Sequence, residues 1–91
     1  MDIMQELYRV IMDRKANPVE GSYTNYLMAK GTEKIAKKVG EEAVETAIAA
    51  AKKDKNEVVA ELADLEYHML VLMANMGITL DDLYGELESR R

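Results

Sequence analysis

Residues 32–76 read TEKIAKKVGEEAVETAIAAAKKDKNEVVAELADLEYHMLVLMANM, two long helix-forming runs parted by the polar stretch Lys53-Asp54-Lys55-Asn56. In the first run Ile35, Val39, Ala43, Thr46 and Ala50 recur at the spacing that lines one side of an α-helix. They predict a helix capped by Thr32 and running to about Lys52. Asp54, with Glu57 three residues on, predicts a capping box for a second helix that continues to Met76 and closes at Gly77. Joined by so short a turn, the two helices fold back on each other as an antiparallel hairpin.

Outward from this hairpin the chain stays helical. Ile3, Leu7, Val10 and Ile11 predict a helix over residues 3–14 with Asp2 as its N-cap. The segment Asn17-Pro18-Val19-Glu20-Gly21-Ser22 holds the only proline and reads as a loop, followed by a short helical piece over 24–30 that stops at Gly31. After the hairpin, Thr79 with Asp82 marks a last start signal, and Leu80, Leu83 and Leu87 stripe a closing helix. Nowhere does the alternation of a β-strand stand between turn signals. The expected fold is all-α: one domain over residues 1–91, a helical hairpin with flanking helices. Val44, Ile48 and Val71 lie off the main apolar faces, and a helix apolar on more than one side is usually covered on more than one side. We therefore expect a bundle completed by a homodimer.

Composition narrows the function. Hydrophobic residues make up 48% of the chain but Phe and Trp are absent, so Leu, Val, Ile, Ala, Met and a few Tyr must form the core, with the seven methionines as filler. Having no cysteine excludes disulfides and thiolate zinc sites and fits a reducing compartment. No apolar run reaches the roughly 20 residues that span a bilayer, and the acidic start lacks the features of a signal peptide. These features predict a soluble, cytoplasmic protein with no membrane partner. A net charge of −5 argues against nucleic acid as a partner but not against a polyphosphate held through a divalent cation.

At 3.6 residues per turn, Lys34, Lys38, Glu42 and Glu45 form one polar stripe on the first hairpin helix, with Glu41 at its edge. Glu61, Asp64, His68 and Asn75 flank the apolar face of the second. Glu45 and Glu61 are equidistant from residue 53, as are Glu42 and Asp64, so the hairpin brings four carboxylates level across a gap of roughly 8–10 Å. Like charges so placed disfavour one another unless a cation joins them. Hard oxygen ligands suit Mg²⁺, with Mn²⁺ an alternative. Such an ion retains waters, one of which can serve as a nucleophile while Glu41 or Glu45 orients it or takes its proton.

Upstream, Lys30, Lys34, Lys37 and Lys38 form a basic end suited to phosphate oxygens, and Ser22, Tyr23 and Thr24 add hydroxyl groups in the loop. Each feature alone has a plain structural reading: acidic helix faces are commonly solvated, Ser22 and Tyr23 suit a turn cap, and a lone His68 near a core is more often structural than a substrate contact. Two carboxylate pairs bordering apolar stripes, level across one hairpin, favour a metal site.

Glu41-Glu42-Ala43-Val44-Glu45 followed by Glu61-Leu62-Ala63-Asp64 resembles the EExxE and ExxD signature of the all-α nucleoside triphosphate pyrophosphatases, the MazG-like superfamily. The longer context, Pro18 to Thr24, Lys30-Gly31, Lys34 to Glu42 and Asp64 to His68, resembles the phosphoribosyl-ATP pyrophosphohydrolase family from about Leu7 to Leu87. One departure is Val19, where that family more often places glutamate directly after the proline. The resemblance implies Mg²⁺-dependent cleavage of phosphoribosyl-ATP to phosphoribosyl-AMP and pyrophosphate, the second step of histidine biosynthesis, by a homodimeric helical bundle. It implies Glu42, Glu45, Glu61 and Asp64 as metal ligands with Glu41 close by. In some family members a cysteine-dependent cyclohydrolase is fused to this activity, and the lack of cysteine here reads as the stand-alone form. Two rival functions fit the same chain: a house-cleaning pyrophosphatase acting on other nucleoside triphosphates, and a non-catalytic helical dimerisation module.

Overall fold

A computed structural model describes residues 2–91, in which five helices follow one another: α1 (Ile3–Ala16), α2 (Tyr23–Lys30), α3 (Thr32–Ala51), α4 (Lys55–Met76) and α5 (Leu80–Ser89). Local chemistry sets most of their ends. At α1 the Asp2 carboxylate accepts from the Gln5 N–H at 2.9 Å and the Gln5 side chain accepts from the Asp2 N–H at 3.1 Å, a reciprocal capping box. Thr79 and Asp82 build the same device at α5. Ser22 caps α2, and Gly77, at φ 73°, closes α4 in the left-handed conformation that glycine tolerates.

Two expected caps differ. Thr32 is the first residue of α3 and not its cap: Gly31 holds that place at φ 95° and ψ 174°, a backbone conformation closed to side chains with a Cβ. The Thr32 hydroxyl accepts from the Asn75 amide at 2.8 Å, tying the start of α3 to the end of α4. At α4, Asp54 accepts from the Glu57 N–H, but Glu57 does not return the bond. The Asp54 N–H is already given to the Ala49 carbonyl at 3.4 Å, closing the hairpin turn, and the Glu57 carboxylate turns to Lys52 at 3.3 Å. That turn holds Lys53 at φ 59°, a left-handed position without glycine.

Packing is dominated by the α3–α4 hairpin, with α1 and α2 laid against it. Ile11, Leu27, Ile35, Leu70 and Val71 are fully buried, drawing the core from four helices. The inward line of α3 is Ile35, Glu42 and Ala49, with Val39 and Thr46 half-buried beside it, while Ala43 and Ala50, expected inside, are exposed. Alanines surround this helix on all sides, so they mark its inner face poorly, and a carboxylate occupies a position that burial would ordinarily deny it. Val71 also departs from expectation, because it is fully buried in the core formed by the chain itself. Val44 and Ile48, by contrast, remain 60% and 52% exposed. Two bonds between residues far apart in sequence strap α1 to the end of α4 and the turn after it: Lys15 Nζ donates to the Ala74 carbonyl at 2.9 Å and Tyr8 Oη to the Ile78 carbonyl at 2.6 Å. Among the described residues no helix is long and apolar enough to cross a membrane.

Candidate metal and phosphate site

Glu42 and Glu45 stand one turn apart on α3, and Glu61 faces them from α4. Each offers a carboxylate oxygen, and these oxygens lie within 4.8 Å of one another. Asp64 stays outside this trio and is exposed, yet its charge reaches both Glu42 and Glu61. The four acidic groups picked out by spacing thus gather as three plus a neighbour at the margin.

The arrangement is electrostatically uncomfortable. Glu42 is only 7% exposed, and its Oε2, like Oε2 of Glu61, is shut from solvent with no hydrogen-bond partner. Buried oxygens of this kind normally find donors. A hydrogen bond to the Glu45 carboxyl, then desolvation, then the charges of Glu45, Glu42 and Asp64 push the Glu61 carboxyl up to about 7. Desolvation first, and the charges of Glu45 and Asp64 next, raise Glu42 as well, against an opposing pull from His68.

Among the described residues only one cation approaches closely. Lys38 Nζ lies 3.6 Å from Glu41 and 3.8 Å from Glu42. Partial desolvation pulls its ammonium down, but Tyr23, Glu41 and Glu42 outweigh that and hold it above the usual lysine range. The other lysines read as one basic end are dispersed by the helix. Lys37 borders an open trough of about 660 Å³ with Gly40, Glu41, Val44 and Glu45. Lys34 is half-buried, and Lys30 sits over the Tyr26 ring, 5.6 Å from its centre.

His68 is buried and uses both ring nitrogens. Nδ1 lies 2.7 Å from the Asp64 main-chain carbonyl, which can only accept, so Nδ1 carries the hydrogen. Nε2 is then the acceptor for the Tyr23 hydroxyl at 2.8 Å. This makes a protein-bound histidine, not one with a free nitrogen for a substrate. The remaining loop candidates are similarly committed: Ser22 Oγ caps α2, and the buried Thr24 hydroxyl is bonded to the Tyr67 hydroxyl. Asn25 holds the loop shape, accepting from the Val19 N–H and donating to the Arg14 carbonyl, each at 2.8 Å. Sequence reasoning missed Tyr26, which stacks on Tyr23, although Tyr23, Tyr26 and Lys30 already stand at i, i+3 and i+7.

A sequence model of the phosphoribosyl-ATP pyrophosphohydrolase family matches residues 4–91. Similar proteins include the phosphoribosyl-ATP pyrophosphatase of Clostridium novyi, 50% identical over 91 residues, which are 100% of this chain and 83% of that protein. The phosphoribosyl-ATP pyrophosphatase of Clostridium acetobutylicum is 51% identical over 89 residues, 98% of this chain and 81% of the relative. The histidine biosynthesis bifunctional protein HisIE of Caldanaerobacter subterraneus subsp. tengcongensis is 56% identical over 90 residues, 99% of this chain but 44% of that protein. The chain therefore spans less than half the length of the bifunctional relatives it matches.

Proposed function

The chain belongs to the phosphoribosyl-ATP pyrophosphohydrolase family, and on that premise we propose that it hydrolyses the α–β phosphoanhydride of phosphoribosyl-ATP, yielding phosphoribosyl-AMP and pyrophosphate as the second step of histidine biosynthesis. The observation that carries the reading is the convergence of Glu42, Glu45 and Glu61 within 4.8 Å, two of them with a buried, partnerless oxygen. An all-oxygen, strongly anionic donor set fits Mg²⁺, or Mn²⁺, and suits softer metals poorly. Glu42, Glu45 and Glu61 would hold the ion, with Asp64 as the fourth ligand.

When bound, the ion supplies charge neutralisation at the phosphoryl oxygens and a water of lowered pKa. The chain's own residues do the rest. Lys38, already held at the edge of the cluster, binds phosphate oxygens; Lys37, which borders the same trough as Glu41 and Glu45, would take the outgoing pyrophosphate. Glu41 and Glu45 are the groups positioned to orient the attacking water and take its proton. Exposed Val44 and Ile48 on α3 with Val59 and Leu62 on α4 form the face that a second copy covers in a homodimer working in the cytoplasm.

The test is product analysis with Mg²⁺: pyrophosphate should appear from phosphoribosyl-ATP, and much faster than from dUTP or ordinary triphosphates. Orthophosphate as first product would overturn the reading, and preference for dUTP would assign the chain to the house-cleaning branch.

A further inference from the structure

Tyrosine is this chain's only large aromatic residue, five in all, and two of the five sit together on the surface of α2. Tyr23 and Tyr26 are 47% and 50% exposed, while Thr24 and Leu27 beside them turn inward. Their rings lie 6.3 Å apart and within 23° of parallel, making a shelf of π surface. The shelf is anchored from the candidate site. Asp64, at the margin of the carboxylate cluster, accepts from His68 through its main-chain carbonyl, and His68 in turn accepts from the Tyr23 hydroxyl. His68 also meets the Tyr23 ring edge-on, centroids 5.7 Å apart. These contacts fix the plane of Tyr23, on which Tyr26 stacks. The Lys30 ammonium lies over the Tyr26 ring, 5.6 Å from its centre, a cation–π contact that a base stacking on that face would displace.

We propose that the Tyr23–Tyr26 shelf seats the purine base of the nucleotide substrate, and that His68 is a positioning residue, holding Tyr23 in plane without touching the nucleotide. The inference rests on the pyrophosphohydrolase reading above for the location of the phosphates. A base has a flat π face that stacks on an aromatic ring irrespective of its hydrogen-bonding edge. Lys38 pairs with Glu41 and Glu42 of the carboxylate cluster, and Tyr23 is tied to the margin of that cluster through His68 and the Asp64 carbonyl, so a base on the shelf would trail its phosphates toward this cation.

Two probes separate base from phosphate: α,β-methylene-ATP, whose α–β bridge cannot be hydrolysed, and inorganic tripolyphosphate, which has no base. Both are titrated by calorimetry into the full chain. Tyr26→Leu should weaken binding of the analogue by about tenfold, within what base–aromatic stacking supplies, and leave tripolyphosphate unchanged. Tyr26→Phe, which keeps the π face, should stay within about twofold of wild type. Tyr23→Phe removes only the hydroxyl tether; it should weaken the analogue and not tripolyphosphate, and raise KM for phosphoribosyl-ATP while kcat holds. The proposal is overturned if Tyr26→Leu binds the analogue as wild type does, if both probes weaken together, or if the substitution changes oligomeric mass, which would assign the shelf to a second copy. Tyr26-dependent analogue binding without pyrophosphate release from phosphoribosyl-ATP keeps the shelf and sinks the proposed reaction. Pyrophosphate release with a Tyr26-independent KM does the reverse.

Discussion

Replacing Glu61 by glutamine should stabilise the metal-free protein at neutral pH and blunt its response to Mg²⁺. In the folded chain the Glu61 carboxyl is pushed from 4.5 up to about 7 by its hydrogen bond to Glu45, by desolvation and by the surrounding carboxylates. At pH 6, the folded group is roughly nine-tenths protonated and the unfolded one only a few per cent. Folding therefore takes up a proton between 4.5 and about 7, so metal-free stability is greatest at the acidic end of that window and falls as pH rises through it, levelling above about 7. Glu42, also raised, adds to the same slope. Glu61→Gln carries no titrating group at this position, and its amide can donate to the Glu45 carboxylate that the native pair can satisfy only with a shared proton.

The assay is thermal unfolding followed by circular dichroism in EDTA and in Mg²⁺. From about pH 5 to 7.5 the wild-type Tm in EDTA should fall by several degrees, and that of Glu61→Gln by less, leaving the variant at or above wild type at the alkaline end. Mg²⁺ should raise the wild-type Tm near neutrality, where the carboxylates are ionised, and do little at the acidic end. Comparing the two chains cancels titrations elsewhere. If both chains show the same pH slope and gain equally from Mg²⁺, the electrostatic account of this cluster fails.

Glu45→Ala should abolish pyrophosphate release while leaving the metal-free Tm unchanged or raised, because one member of a repulsive trio is gone; activity with wild-type Mg²⁺ dependence would refute the ligand assignment. Leu70→Ala empties a fully buried position and should cost about 2–5 kcal/mol in urea denaturation. Lys53→Gly relieves a left-handed residue at φ 59° in the hairpin turn and should stabilise by about 1 kcal/mol, whereas Gly31→Ala, at φ 95° and ψ 174°, should destabilise by roughly 1–3 kcal/mol even though its Cβ would meet nothing within 4 Å.

Helix order, the hairpin and the caps at Asp2 and Thr79 were legible because they depend on neighbours within one or two turns, where residue type decides the outcome directly. The carboxylate trio was legible for the same reason. A fixed helical pitch and a short turn at residue 53 bring Glu45 opposite Glu61 without detailed packing. The Asp54 box failed in its second half because closing the hairpin takes the Asp54 N–H for Ala49, a demand invisible from four residues. The single basic end came apart because lysines three and four apart share a face, whereas the adjacent Lys37 and Lys38 point to different ones.

By itself, then, the sequence determined an all-helical chain, its family and which acidic groups stand level across the hairpin, since periodicity and capping are local. Tertiary structure decided the rest. It turned Glu42 inward in place of Ala43, left Asp64 at the margin, buried Val71 in the chain's own core, and used up both nitrogens of His68. Burial and hydrogen-bond partners are properties of how five helices close on one another, and a helix ringed with alanine does not announce which way it will face.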